Sequence, residues 1–125
     1  MKADRAQDGL YVFPLTVRFK NSVKTLKGLV DTGSNICVCT YKIPTTLRAR
    51  ATSYSLISSP IASPISTLGY SLKVGFDGRS VMTHVYRLPL DMPGIDFILG
   101  LSVPSKCSIV MRDDHMEINW LDTSA

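Results

Sequence analysis

A chain of 125 residues, 45% hydrophobic and 19% charged, has the size and apolar content of one folded domain. Its charge share is below the usual ~25%, which excludes a disordered tail. No window approaches the ~20 apolar residues of a membrane span, and residues 1–9 lack the apolar run of a secretory signal. The net charge of +4 comes from basic residues spread from Lys2 to Arg112 without a dense cluster. That spread reads as solvated faces with at most nonspecific polyanion binding, so no specific nucleic-acid partner and no membrane partner is expected.

In chain order, residues 1–9 read as a flexible polar arm. Residues 10–19 (LYVFPLTVRF) are rich in β-formers and predict a strand, with Pro14 marking an edge or bulge. Lys20-Asn21-Ser22 signals a turn, and residues 23–30 return as a second strand that runs into Asp31-Thr32-Gly33-Ser34. Residues 36–40 (ICVCT) predict a third strand. Residues 43–47 read as irregular around Pro44. Two short apolar runs, 54–57 and 61–68, flank Ser58-Ser59-Pro60 and predict a hairpin with a mobile tip. Asp77-Gly78 between β-rich runs is a strong hairpin signal. An apolar run follows over residues 95–99, ending at Gly100. Residues 101–106 are expected to form one helical turn, with Pro104 tolerated near its start. Residues 107–111 and 116–120 close the chain as strands. The domain is placed at residues 10–121, with residues 122–125 as a tail.

Cys37, Cys39 and Cys107 are an odd number of cysteines, which argues against a closed disulfide framework and fits a reducing compartment. Cys37-x-Cys39 with Cys107 lacks the four closely spaced ligands of structural zinc. His84 and His115 form no ligand pair. Neither metal nor organic cofactor is expected, and the thiols read as small buried hydrophobes.

The chemistry concentrates at Asp31. An apolar strand leading into Asp-Thr-Gly-Ser fixes one carboxylate at a defined point. Gly33 permits a sharp turn and close backbone approach, and Thr32 can brace that turn. A carboxylate can take a proton from water while the water attacks a carbonyl. Amide hydrolysis also needs an acid, and two carboxylates sharing one proton divide the roles. No second Asp-Thr-Gly or Asp-Ser-Gly occurs, and Asp96 lacks the following glycine turn. The economical solution is a two-fold homodimer that brings two copies of Asp31 together.

These residues resemble those of the retropepsin-like aspartic proteases of retroviruses and LTR retrotransposons. Val30-Asp31-Thr32-Gly33-Ser34 resembles their catalytic turn. Ile98-Leu99-Gly100 resembles the hydrophobic-hydrophobic-glycine motif that packs against it, and residues 94–100 (GIDFILG) look like the plant pararetrovirus branch. The resemblance implies a mostly-β, closed acid-protease barrel with one short C-terminal helix, acting as a homodimer. By it, Asp31 matches the catalytic aspartate, Thr32 the threonine linking the subunits beneath it, and Gly33 the glycine whose carbonyl contacts substrate backbone. Ser34 and Asn35 fall at substrate-binding positions, Asn35 where Asp is frequent. Ser58, Ser59 and Pro60 fall at the flap tip, flanked by Ile57 and Ile61. The departure lies there, because retroviral flaps are glycine-rich and no glycine stands between Gly33 and Gly69. Ile57, Ile61 and Leu88 are candidate pocket residues.

The activity so implied is an endopeptidase cutting a viral or retrotransposon polyprotein, including its own release. It would act inside the host cell, in the cytoplasm, or within viral particles. The partners would be a second copy and a peptide or polyprotein substrate. The competing expectation is a catalytically inactive dimerisation or peptide-binding module on the same fold. A basic barrel that binds nucleic acid would leave Asp31-Thr32-Gly33 unexplained.

Overall fold

A computed structural model of the chain describes residues 1–5, 11–31, 34, 36–59, 62–90, 94–100 and 106–121. In chain order the elements are β1 (Lys2–Arg5), β2 (Tyr11–Phe19), β3 (Ser22–Val30), β4 (Cys37–Cys39), α1 (Lys42–Leu47), β5 (Ser53–Ser59), β6 (Ala62–Phe76), β7 (Arg79–Arg87), β8 (Phe97–Leu99), β9 (Cys107–Met111) and β10 (His115–Trp120). Six strands close into a ring in the order β2-β3-β8-β4-β7-β6, because β6 pairs back onto β2 at Thr16–Gly75, Val17–Val74 and Arg18–Lys73. β5 extends the ring at β6, and β1, β10 and β9 extend it at β2.

The turns act as their residues dictate. Phe19 pairs with Ser22 across Lys20-Asn21, with Lys20 in the left-handed region at φ 54°. Phe76 pairs with Arg79 across Asp77 (φ 51°) and Gly78 (φ 76°). Two successive positive φ values are the signature of the hairpin turn whose twist matches its strands. Pro14 pairs with Lys27 on one side of β2. On the other side the partner changes, from β1 at residues 11–12 to β6 at residues 16–18. Proline, with no N–H to give, stands in the gap between the two partners.

Alternation along β2 puts Phe13, Leu15 and Val17 inside the barrel and Thr16 and Arg18 outside. Leu72, Val74, Val85, Phe97, Leu99, Cys37 and Cys39 complete the interior. Leu15 fills the space over Gly28, where a Cβ would overlap its terminal carbon. At the barrel's far end, Trp120 stacks on Phe76 with ring centroids 4.6 Å apart and donates its indole N–H to the Phe76 carbonyl at 2.9 Å. A side chain of that size, half-buried with its polar handle bonded, ties β10 to the β6–β7 hairpin.

Two expectations change. Residues 43–47 are not irregular: they lie in α1, the single helix among the described residues. Pro44 stands in its first turn, where the missing N–H has no helical partner to lose. Ile43 and Leu47, four apart, bury one face, and Arg48 ends the helix at φ 55°. The polar arm at residues 1–9 is a strand over its first part. β1 pairs with β10 (Lys2–Glu117, Ala3–Met116, Asp4–His115) and buries Ala3, while residues 6–9 lie outside the described residues. The flap hairpin forms, with β5 and β6 paired from Ser53–Gly69 to Ser59–Ala62, while Pro60 and Ile61 at its expected tip lie outside the described residues. The expected C-terminal helix at residues 101–106 lies outside the described residues, apart from Lys106. Among the described residues no helix is long and apolar enough to cross a membrane.

Candidate active site

β8 is the centre of the site. It runs parallel to β3 (Gly28–Phe97, Leu29–Ile98, Val30–Leu99) and antiparallel to β4 (Val38–Ile98, Cys39–Phe97). The chain therefore leaves β3 on one side of β8 and returns as β4 on the other. Asp31 begins the segment that makes this passage. Its N–H donates to the Leu99 carbonyl at 3.0 Å, carrying the parallel ladder one residue past the strand. Its own carbonyl accepts from the Ser34 N–H at 3.2 Å. The Ser34 hydroxyl donates to the Ile36 carbonyl at 2.8 Å and accepts from the Ile36 N–H at 3.3 Å.

Gly100 closes the arrangement. A Cβ there would overlap the Ile36 carbonyl oxygen and would lie 2.5 Å from the carbonyl carbon and 3.0 Å from the nitrogen. Those atoms are backbone and cannot rotate aside. The hydrophobic pair Ile98-Leu99 supplies the strand between β3 and β4, and Gly100 supplies the close approach. The two sequence motifs are thus one structural unit that holds half-buried Asp31 from both sides.

Asp96 is placed elsewhere. It sits at the other end of β8, roughly 10 Å from Leu99 at ~3.3 Å per residue. Its carboxylate pairs with Lys42 at 3.0 Å, so it ties α1 to β8. Thr32, Gly33, Asn35, Pro60 and Ile61 lie outside the described residues, as do the side chains of Ser58 and Ser59.

The flap hairpin has two distinguishable faces. Tyr70, Leu72 and Val74 of β6 point into the barrel, and Leu68 continues that face. Tyr54 pairs with Leu68 and Leu56 with Ser66, so Tyr54 and Leu56 lie on the core-side face where the hairpin has outrun the barrel. They are 69% and 64% exposed, an uncovered apolar strip. Ile57 pairs with Ile65 and lies with Ser53 and Ser55 on the opposite face. Sequence reasoning singled out Ile57 and missed Tyr54 and Leu56. The signal was the alternation of Ser53-Tyr54-Ser55-Leu56, which puts Tyr and Leu on one side and Ser on the other. At the hairpin's root the Ser53 hydroxyl meets His84 Nε2 at 2.8 Å, and Gly69 leaves the room for that contact.

The thiols take no visible part. Cys37 and Cys39 are buried in the barrel, and burial pushes the Cys39 thiol up to about 12, with nearby Arg87 opposing. Burial also raises Cys107. Among the described residues no group of three His, Cys, Asp or Glu side chains could hold a metal ion.

No family model matches the chain, and no curated protein matches it by sequence. Among solved structures it is similar to a retropepsin-like aspartic protease from Rickettsia conorii. The TM-score is 0.67 at 17% identity, and the match covers 96% of this chain and 89% of that one. At that identity the likeness is one of fold. The chain has the mostly-β, closed-barrel fold of a retropepsin-like aspartic protease, with the strand-β8 crossing beneath Asp31.

Proposed function

We propose that this chain is one subunit of a homodimeric aspartic endopeptidase whose two Asp31 carboxylates form the catalytic pair. The observation that carries the proposal is the Asp31 backbone bond to Leu99 beside the Gly100–Ile36 contact, which fixes a half-buried carboxylate at a strand crossing. The retropepsin-like fold supports the same reading.

In the mechanism, one Asp31 accepts a proton from water as the water oxygen bonds to the scissile carbonyl carbon. The second copy's Asp31, protonated, gives its proton to the carbonyl oxygen. Collapse of the tetrahedral diol breaks the C–N bond: the first Asp31 gives the departing nitrogen the proton it took from water, and a diol hydroxyl returns its proton to the second Asp31. No covalent enzyme intermediate forms. Two carboxylates this close share one proton because both cannot ionise, as aspartic proteases generally exemplify.

Two features support the dimer and its substrate. Among the described residues β9 is the last strand of the sheet and pairs only with β10, with Val110 and Met111 exposed beside its outer edge. Such an edge readily pairs with another chain, here a second copy. Tyr54 and Leu56 would cover an extended peptide lying across the dimer axis, with main-chain pairing holding it and alternate side chains entering pockets. The substrate would be a viral or retrotransposon polyprotein, cut inside the host cell or in the particle, including at the enzyme's own boundaries.

The test is cleavage of a diverse peptide library near pH 5 by wild type, by wild type with pepstatin, and by Asp31→Asn. Cleavage lost in both controls supports the proposal. A folded, dimeric wild type that cuts nothing favours a non-catalytic peptide-binding module.

A further inference from the structure

We infer that the outer barrel face around Arg18 and Lys73 is a binding site for single-stranded nucleic acid, held through its phosphates without sequence preference. The basic residues are scattered in the sequence, but the fold brings Arg18, Lys20 and Lys73 to one face. Between residues 9 and 76 stand Arg18, Lys20, Lys24, Lys27, Lys42, Arg48, Arg50 and Lys73, against Asp31 as the single acid. Arg18 and Lys73 are direct cross-strand partners on the exposed face of β2 and β6. Like charges opposite one another destabilise a sheet, and neither makes an ion pair among the described residues. A polyanion would turn that repulsion into attraction.

The pair is flanked by grooves. One, of about 290 Å³, is lined by Arg18, Phe19, Lys20, Ser71, Lys73 and Met82. It contains three cations, a hydroxyl and no acid. The other, of about 330 Å³, adds Arg79 on the far side of the same pair, with Thr16 and Ser80. Its one carboxylate, Asp77, is engaged by the N-terminal ammonium at 2.9 Å. Cations and hydroxyls are the groups that grip phosphate oxygens. Met82, 58% exposed, and Phe19 form apolar walls on which a base or sugar can lie. An acidic peptide would use the cations but not those walls, so a nucleotide chain fits better.

The site is independent of Asp31. Arg18 lies seven residues along β2 from Tyr11, whose partner Val30 precedes Asp31. That is about 24 Å at ~3.4 Å per residue.

The experiment is fluorescence anisotropy of a labelled 20-nucleotide poly-U with the full chain, titrated over 25–300 mM salt. Wild type should bind at low salt and weaken steeply as salt rises. Arg18→Gln with Lys73→Gln should reduce affinity at least about tenfold and lower the salt slope by about 1.4, at ~0.7 for each phosphate no longer neutralised. Arg48→Gln with Arg50→Gln removes the same charge elsewhere and should change affinity less than about twofold. Lys73→Glu should abolish binding while raising Tm, since it pairs with Arg18. Equal reductions in the two double variants, absence of binding by wild type at 25 mM salt, or equal competition by polyglutamate would each overturn the inference.

Discussion

Replacing Gly100 with alanine is the sharpest structural perturbation of the site. The added methyl would overlap the Ile36 carbonyl oxygen and stand 2.5 Å from its carbon. Because the obstacle is backbone, β8 and the segment before β4 must separate. Overpacking of this kind costs about 1–3 kcal/mol when side chains can adjust, so a rigid obstacle places the cost near 3 kcal/mol. For a domain of this size each kcal/mol corresponds to about 4 °C in Tm, which gives a fall of about 12 °C. The same displacement lengthens the Asp31–Leu99 bond, so turnover should fall at least about tenfold even well below the melting point. Two other glycines provide the contrast. Gly94→Ala meets nothing within 4 Å and carries only the strain of its positive φ, about 1–2 kcal/mol. Gly28→Ala meets the end of the Leu15 side chain, which can rotate, and should leave turnover intact. Scanning calorimetry with a peptide-cleavage assay on all three variants decides the matter. Wild-type Tm and turnover in Gly100→Ala would refute the reasoning.

The β9–β10 hairpin should be pH-sensitive. His115 is raised by its hydrogen bonds to Asp114 (2.6 Å) and Glu117 (3.3 Å). Asp114 is lowered by the bond to His115, and Glu117 by bonds to His115 and Arg112. A raised histidine stabilises below its unfolded value of about 6.5 and stops doing so as pH rises through its folded value. Lowered carboxylates stabilise above about pH 4 and stop as pH falls through theirs. The hairpin is therefore firmest between those limits, and His115→Gln should flatten the dependence of its amide exchange on pH. An unchanged profile in that variant contradicts the assignment. Tyr54→Ala with Leu56→Ala should change Tm by less than about 2 °C, because both side chains are exposed, yet cut kcat/KM at least about tenfold. A large loss of stability would place these residues in the core instead. Cys39 should resist alkylation at pH 8 in the native protein and react on unfolding, as mass spectrometry of labelled peptides would show.

Local chemistry made much of this fold legible. Asp77-Gly78 announced its turn because successive positive φ values select few residue types, whereas Lys20-Asn21 announced its turn through Asn21 although the positive φ falls on Lys20. Asp31 and Ile98-Leu99-Gly100 announced a site because a carboxylate on an apolar strand and a glycine after one have specific uses. What stayed hidden depended on partners distant in sequence. β1 is polar and forms because β10 and β2 border it. α1 contains a proline and reads as irregular until its position in the first turn is known. Ile57 and Leu56 are equally apolar, and only the pairing of β5 with β6 tells which one faces the barrel side. The basic residues look dispersed along the chain because Arg18 and Lys73, 55 positions apart, meet only across β2 and β6.

The central claim is that catalysis needs two copies of Asp31 in one site, and subunit mixing tests it most directly. Wild type is combined with increasing Asp31→Asn under conditions that permit exchange, and cleavage is measured at constant wild-type concentration. Random pairing leaves active sites only in wild-type pairs, so activity per wild-type subunit should fall to about half at an equimolar ratio and continue downward. Activity that stays constant as the inactive subunit is added would place the chemistry within a single chain and contradict the account.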